Sequence, residues 1–340
     1  MFGASVRGFV VSLLLCAVVL GAGITAAQEQ AATEPSASKQ MMTLRRVDPG
    51  SLHETLRDRL SGGLNQHVAF RMAADSQGRI FVTEPFQALV QVFDKKEGRR
   101  WQLRGDKEQR MVFPTYIAVD ADDNIYVSEP LLASVVVYGP DGHLLRTIGG
   151  DQLYLPFGLA LDQQNRKLYV ADHYKSEIQV YSLEGKLLQV ISSRGSQSGE
   201  LREPCDLVLH RGMLFVLDTG NARFQMFDLE GNAKDVTPFG NDRWPVAFAL
   251  DAAGNFYYVD MESQGMQVAN PAGSQVAELD VQIRYGQPSQ ARMFPSFMSV
   301  VESPDGRMLA LRPASQVEEV RLEPADNASG TNKPKNEQPK

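Results

Sequence analysis

Residues 156–186 read PFGLALDQQNRKLYVADHYKSEIQVYSLEGK. Phe157, Leu159 and Leu161 alternate with small neighbours, a polar stretch runs from Asp162 to Lys167, and a second apolar run, Leu168 to Ala171, ends on Asp172. Beyond the corner His173 to Glu177, Ile178 and Val180 alternate again up to a turn at Gly185, after which the chain resumes with LLQVISS. Successive side chains of a strand point to opposite faces, so period-two hydrophobicity broken by Asp, Asn, Ser and Gly is the pattern of antiparallel hairpins. The stretch predicts four consecutive strands joined by tight turns.

Four further segments superimpose on it: AFRMAADSQGRIFVTEP (69–85), YIAVDADDNIYVSEP (116–130), DLVLHRGMLFVLDTGN (206–221) and AFALDAAGNFYYVD (247–260). A third strand follows each, and the turn glycines Gly98, Gly142, Gly185, Gly231 and Gly273 recur about every 44 residues. Four strands per such period make a propeller blade. A sixth copy, FMSVVESPDGRMLALRPASQVEEVRLEP (297–324), supplies three strands and stops. An open ring would leave an unpaired strand edge, and MMTLRRVDPG (41–50) has the alternation of the outer strands. The expected fold is all-β, a six-bladed β-propeller of four-stranded blades closed three-plus-one, with residues 42–47 as the outer strand of the last blade against 317–323. In SLHETLRDRLSGG (51–63), Ser51 and Glu54 form a capping box ahead of Leu56 and Leu60, which predicts one short capping helix laid on the propeller.

With 43 % hydrophobic and 22 % charged residues over 340 positions, the chain is neither disordered throughout nor a polytopic membrane protein. The repeat makes residues 41–324 one domain. The opening MFGASVRGFVVSLLLCAVVLGAGITAAQEQ has one positive charge, an apolar run and small residues before Gln28, and residues 1–27 read as a signal peptide, placing the chain in the periplasm or outside the cell. A retained N-terminal membrane anchor is the alternative. Residues 28–40 read as a flexible linker and 325–340 as a disordered polar tail. The formal charge is −7 and loses a further positive charge with Arg7 if the leader is cleaved. That balance excludes nucleic acid as a partner, because phosphate binding needs a basic stripe. Cleavage would leave Cys205 as the sole cysteine, so no intramolecular disulfide is expected, and the chain reads as a monomer.

Residues 156–186, together with PCDLVLHRGMLFVLDTGNARFQMFDLEGN (204–232), resemble NHL repeats: a Pro before the inner strand, an Asp-x-x-Asn-x-Arg-like corner, and Gln-Val or Gln-Met followed by Tyr or Phe in the third strand. The linker SSRGSQSGELREP (192–204) is similar to the glycine-spaced connection of that family. The resemblance covers residues 67–323 and implies the six-bladed architecture. It implies little about activity; RNA binding, known for some NHL propellers, does not suit an acidic exported chain. The Gly-His, Trp-Asp and double-glycine signatures of WD40 and kelch repeats do not recur from copy to copy.

In a propeller the loops between strands two and three and the linkers between blades emerge on one face. The second strands end in Glu84, Glu129, Asp172, Asp218 and Asp260, with Arg312 in the sixth copy. Phe86, His173, Tyr174 and Asn221 follow these ends. The linkers bring Pro114, Pro156, Pro204, Pro245 and Pro295 beside Phe113, Phe157, Trp244 and Phe294. The expected ligand-binding rim is therefore Glu84, Phe86, Glu129, Asp172, His173, Tyr174, Asp218, Asn221, Asp260 and Arg312. The carboxylates have a second reading, as acceptors for backbone N–H groups of the next turn and partners of nearby arginines, Asp218 with Arg223 among them. Carboxylates about 10 Å apart repel by about 0.4 kcal/mol in water and about 1.7 at an effective dielectric of 20. A hydrated rim tolerates that, so no cofactor is required; calcium, or zinc with His173, stays open as the alternative. No HxH, HExxH or paired-cysteine motif occurs. Cys205, beside Asp206 and one blade from His173, reads as a packed inner-strand residue level with Tyr116, Gly158 and Val246, with a nucleophile as the competing role.

Two functions follow. The first is an exported propeller that binds or scaffolds a protein, peptide or glycan at its loop face. The alternative is an extracytoplasmic metal-dependent hydrolase or lyase using the carboxylate rim.

Overall fold

The computed structural model describes residues 42–47, 71–94, 96–107, 109–239, 243, 245–260, 265–270, 275–279, 299–303, 305–312 and 316–324. They form six four-stranded antiparallel sheets. In blade 3 the strands run Pro156–Asp162, Lys167–Asp172, Glu177–Ser182 and Leu187–Ile191, as residues 156–186 predict. Blade 6 is built from Ser299–Glu302, Met308–Arg312, Gln316–Pro324 and Met42–Val47. Its last pair runs antiparallel from Met42 opposite Pro324 to Val47 opposite Glu319. The three-plus-one closure is thus present, and no outer edge of blade 6 is left for the want of its fourth strand. The expected capping helix, leader, 28–40 linker and polar tail lie outside the described residues.

The hairpins owe their tightness to a recurring side chain. Asp120 follows the inner strand Ile117–Val119, and its Oδ1 accepts the N–H groups of Asp122 at 3.0 Å and Asn124 at 2.8 Å, while Asn124 Nδ2 donates to its Oδ2. Asp251 and Asn255 repeat the arrangement in blade 5. A short side chain that mimics a backbone acceptor fixes the turn and with it the register of both strands.

Adjacent blades pack face to face. Phe81, Val90 and Val92 of blade 1 meet Ile125, Val127 and Tyr138 of blade 2, and the ring is sealed where Met72 and Val82 of blade 1 meet Leu309 and Leu311 of blade 6. Tyr126, Tyr138, Tyr169, Tyr181 and Tyr257 are fully buried, each removing on the order of 150–250 Å² from water.

One expectation needs correcting. Alternation places Cys205 level with Tyr116 and Gly158, but the inner strands shift register just after their first residue, between Pro156 and Leu159, Pro204 and Asp206, and Pro245 and Ala247. Counting from the second-strand partners, Cys205 matches Thr115, Phe157 and Val246. Its neighbour Asp206 falls into one ring around the axis with Arg71, Tyr116, Gly158, Ala247 and Ser299. A bulge adds a residue without disturbing the apolar pattern on either side, so period-two reading misses it. Glycine in the ring has a reason: a Cβ on Gly158 would lie 2.7 Å from Cα of Asp206.

Candidate functional site on the loop face

The predicted strand ends are where the sequence puts them: Glu84, Glu129, Asp172, Asp218, Asp260 and Arg312 each close the second strand of their blade. The Arg312 side chain lies outside the described residues. The five carboxylates do not stand open to the channel mouth; all are buried. Glu129 accepts the N–H of Phe113 at 2.7 Å and of Val112 at 3.2 Å. Asp172 accepts those of Tyr154, Leu155 and Lys175. Asp260 receives Arg243 at 3.1 Å. These side chains fasten the linkers ahead of blades 2, 3 and 5 to the sheets below them. Burial raises the Glu129 carboxyl to about 7 against the pull of its two N–H donors, and it raises Asp218 as well, against Arg202 N–H, Asn221 and Arg223.

Blade 4 carries the densest network. Arg223 donates to Asp218 Oδ2 at 2.7 Å, the pairing expected from sequence, and also to the carbonyls of Ser196, Gln197 and Glu200. Asn221 joins Asp218 Oδ2 at 2.8 Å to the Gly195 carbonyl at 2.9 Å. Both residues of this corner are thereby committed to holding the 195–202 linker.

His173 is half-buried, its ring edge-on to Phe157 with centroids 5.0 Å apart and its Nδ1 3.3 Å from the Pro204 carbonyl. Burial lowers its pKa, which keeps the imidazole neutral near pH 7. Cys205 accepts the Thr219 hydroxyl at 3.0 Å, and burial pushes its thiol to about 12; the thiolate that a nucleophile needs is disfavoured. Among the described residues, no three His, Cys, Asp or Glu side chains are placed to hold a metal ion.

At the head of the channel Arg71 reaches across blades. It donates to the Tyr116 hydroxyl at 2.6 Å and to the Val246 carbonyl, with its guanidinium 4.3 Å from the Tyr116 ring centre. Asp206 accepts the N–H groups of Leu207 and Phe248, and burial raises it to about 6 despite Arg71. Below them lies an axial cavity of about 310 Å³. The polar ring joins inner strands of blades 1, 2, 4 and 5, and the sequence conceals it because the bulge before Asp206 takes that residue out of the expected alternation.

The loop face also exposes large apolar side chains. Phe86 is 46 % exposed, Val112 44 %, Leu132 37 %, Tyr154 49 % and Tyr174 56 %. They sit on the strand 2–3 loops of blades 1, 2 and 3 and on the linkers between them. Phe86 meets Phe113 edge-on at 5.7 Å, and Tyr154 stacks on Tyr174 at 4.3 Å. The remaining exposed large apolar side chains among the described residues, Leu145, Leu188 and Val190, belong to outer strands. Phe86 and Tyr174 were readable as rim residues. Val112, Leu132 and Tyr154 were not, since they lie outside the alternating runs.

No family model matches the chain, and no curated protein matches it. Solved structures do share its fold. A streptogramin B lyase superimposes with a TM-score of 0.58 at 11 % identity, covering 85 % of this chain and 100 % of the other. A nidogen/laminin complex gives 0.56 at 19 % identity over 64 % and 81 %, and Kuenenia stuttgartiensis hydrazine synthase 0.55 at 13 % over 77 % and 97 %. At these identities the likeness is one of fold: the chain is a six-bladed β-propeller. No helix among the described residues is long and apolar enough to cross a membrane.

Proposed function

We propose that the chain is an exported, NHL-like binding module that receives a protein or peptide segment on the loop face of blades 1–3. The observation that carries this reading is that, among the described residues, every large aromatic side chain exposed to solvent lies on that arc, with Val112 and Leu132 beside them. Phe86, Val112, Leu132, Tyr154 and Tyr174 remain uncovered, while Glu129, Asp172, Asp218, Asn221 and Arg223 of the same face are engaged within the fold. Clustered exposed apolar surface favours association, because covering it removes water at roughly 25 cal/mol per Å². Aromatic side chains contribute large contact area for few rotatable bonds.

The like-folded structures include enzymes and a protein complex, so the fold itself permits either kind of function. Engagement of Glu129, Asp172 and Asp218 by backbone N–H groups supports binding over carboxylate chemistry at the rim, and the reading requires no cofactor. Peptides selected by display on the purified protein should bind the wild type and lose binding to a Phe86→Ser, Tyr154→Ser, Tyr174→Ser variant. Selected peptides that bind the variant as well as the wild type would place the ligand elsewhere.

A further inference from the structure

The linker ahead of blade 2 is fastened differently from those ahead of blades 3 and 4. In the third strands, Gln91, Gln179, Gln225 and Gln267 share one register position, opposite the second-strand residue two before its end. In blade 2 that position is Val136. Two of these glutamines hold linkers down: Gln179 Nε2 donates to the Gln152 carbonyl at 2.7 Å, and Gln225 donates to the Glu200 carbonyl at 2.8 Å while accepting Gly199 N–H at 2.6 Å. Valine can do neither. The Tyr181 hydroxyl bonds to Gln179, whereas its fully buried counterpart Tyr138 has no hydrogen-bond partner among the described residues.

Over this blade the linker folds back on itself, through Met111 N–H to the Arg104 carbonyl and Asp106 N–H to that of Gln109, and is met from blade 2 by the Thr147 hydroxyl, which donates to Gln109 Oε1 at 2.9 Å. It borders a cavity of about 480 Å³ lined by Ala88, Met111, Arg104, Lys107, Arg110 and Asp106. Three cations thus gather on the loop face of a chain whose formal charge is −7. Arg104 is held in place by neutral oxygens, Gln102 Oε1 at 2.9 Å and the Gln87 carbonyl at 3.2 Å. Among the described residues no carboxylate forms an ion pair with Arg104, Lys107 or Arg110. Asp106 is turned to its own loop, accepting Gln109 N–H at 2.8 Å. Phe86, Val112 and Phe113, chain neighbours of the lining residues, continue the apolar rim.

We propose that this cavity takes the acidic side chains of a peptide whose apolar side chains lie on the Phe86–Phe113 rim. The inference rests on the peptide-binding reading above and adds its charge. Arginine offers forked donors that match a carboxylate, and a positive site in a negative protein discriminates among partners by sign. The aliphatic Val112 and Leu132 in the rim favour side chains over flat sugar rings.

The test uses fluorescein-labelled peptides of alternating Glu-Phe, Gln-Phe and Lys-Phe, and a labelled heparin-derived oligosaccharide, read by fluorescence polarisation at low and high salt. The proteins are the full chain, the variant Arg104→Gln, Lys107→Gln, Arg110→Gln, and the single variant Lys107→Glu. The Glu-Phe peptide should bind tightest and weaken with salt. The triple variant should lose about tenfold or more of that affinity, about 1.4 kcal/mol, and Lys107→Glu should lose part of it, while Gln-Phe binding stays unchanged. Equal binding of Glu-Phe and Gln-Phe, or a triple variant that binds Glu-Phe like the wild type, overturns the acidic subsite and leaves the peptide-binding reading standing. Binding of the oligosaccharide alone replaces the peptide with a sulfated glycan. If no probe binds, both the subsite and the reading fall.

Discussion

The loop faces of blade 4 and of blades 1–3 are built from the same repeat and end differently. In blade 4, Asp218, Asn221, Arg223 and Gln225 bond to one another and to the linker that covers them. Little there is left to offer a partner. Over blades 1–3, Glu129 and Asp172 likewise anchor linkers, but Phe86, Val112, Leu132, Tyr154 and Tyr174 stand uncovered, and Val136 of blade 2 stands where blades 3 and 4 have an anchoring glutamine. Polar groups satisfied internally make scaffold; apolar groups left in water make an interface.

The largest effect is expected where blade 4 is most committed. Asp218→Ala strands Arg223, whose guanidinium is buried with a carboxylate partner at 2.7 Å. Urea unfolding should show a loss of roughly 3–5 kcal/mol. A loss under about 1 kcal/mol would mean that the network is not what holds that linker.

Glu129 gives the next largest effect, through pH. Its carboxyl, raised by burial to about 7, is protonated in the fold over a range where it is ionised in the unfolded chain. Its contribution to stability is complete below the unfolded value, near 4.3, and declines as pH rises to about 7. The wild type should lose on the order of 3 kcal/mol from this group between pH 4 and 8, and Glu129→Gln should flatten the urea-midpoint profile across that window. Parallel profiles for the two proteins would contradict the assignment. Asp206, raised to about 6, acts in the same direction and remains present in both.

A smaller change converts one kind of blade toward the other. Val136→Gln places an amide where Gln179 and Gln225 hold their linkers, and it should slow hydrogen exchange of the 104–111 amides by about fivefold, corresponding to roughly 1 kcal/mol for one added hydrogen bond. Unchanged exchange would mean that a glutamine at this position does not hold the linker. Smallest of all, the stability of Phe86→Ser, Tyr174→Ser should stay within about 0.5 kcal/mol of wild type by urea unfolding. Exposed rings that bind a partner contribute little to the fold, and a loss of 2 kcal/mol or more would make them part of the core.

Much of this was legible in the sequence. The hairpins follow from period-two alternation and from aspartates such as Asp120 and Asp251 that lock the inner turns, and the closing strand followed from the edge that blade 6 would otherwise expose. The strand ends Glu84 to Asp260 were visible, as was their choice between lining a mouth and anchoring a loop; burial resolves how they are engaged. The axial ring of Arg71, Tyr116 and Asp206 was hidden by the bulge. The exposure of Val112, Leu132 and Tyr154 was hidden because linkers have no periodicity from which to read a face. Nothing in the alternation sets Val136 apart; the pairing puts it opposite Val127, where blades 1, 3, 4 and 5 carry glutamine.

The most direct test of the loop-face assignment is hydrogen–deuterium exchange of the full chain with and without a display-selected peptide. Slowed exchange should fall on residues 84–88, 104–113, 130–133 and 152–155, around Tyr174, and leave 195–203 and 219–222 of blade 4 as they were. Protection centred on the blade 4 loops, or on the outer strands with Leu188 and Val190, would contradict the account.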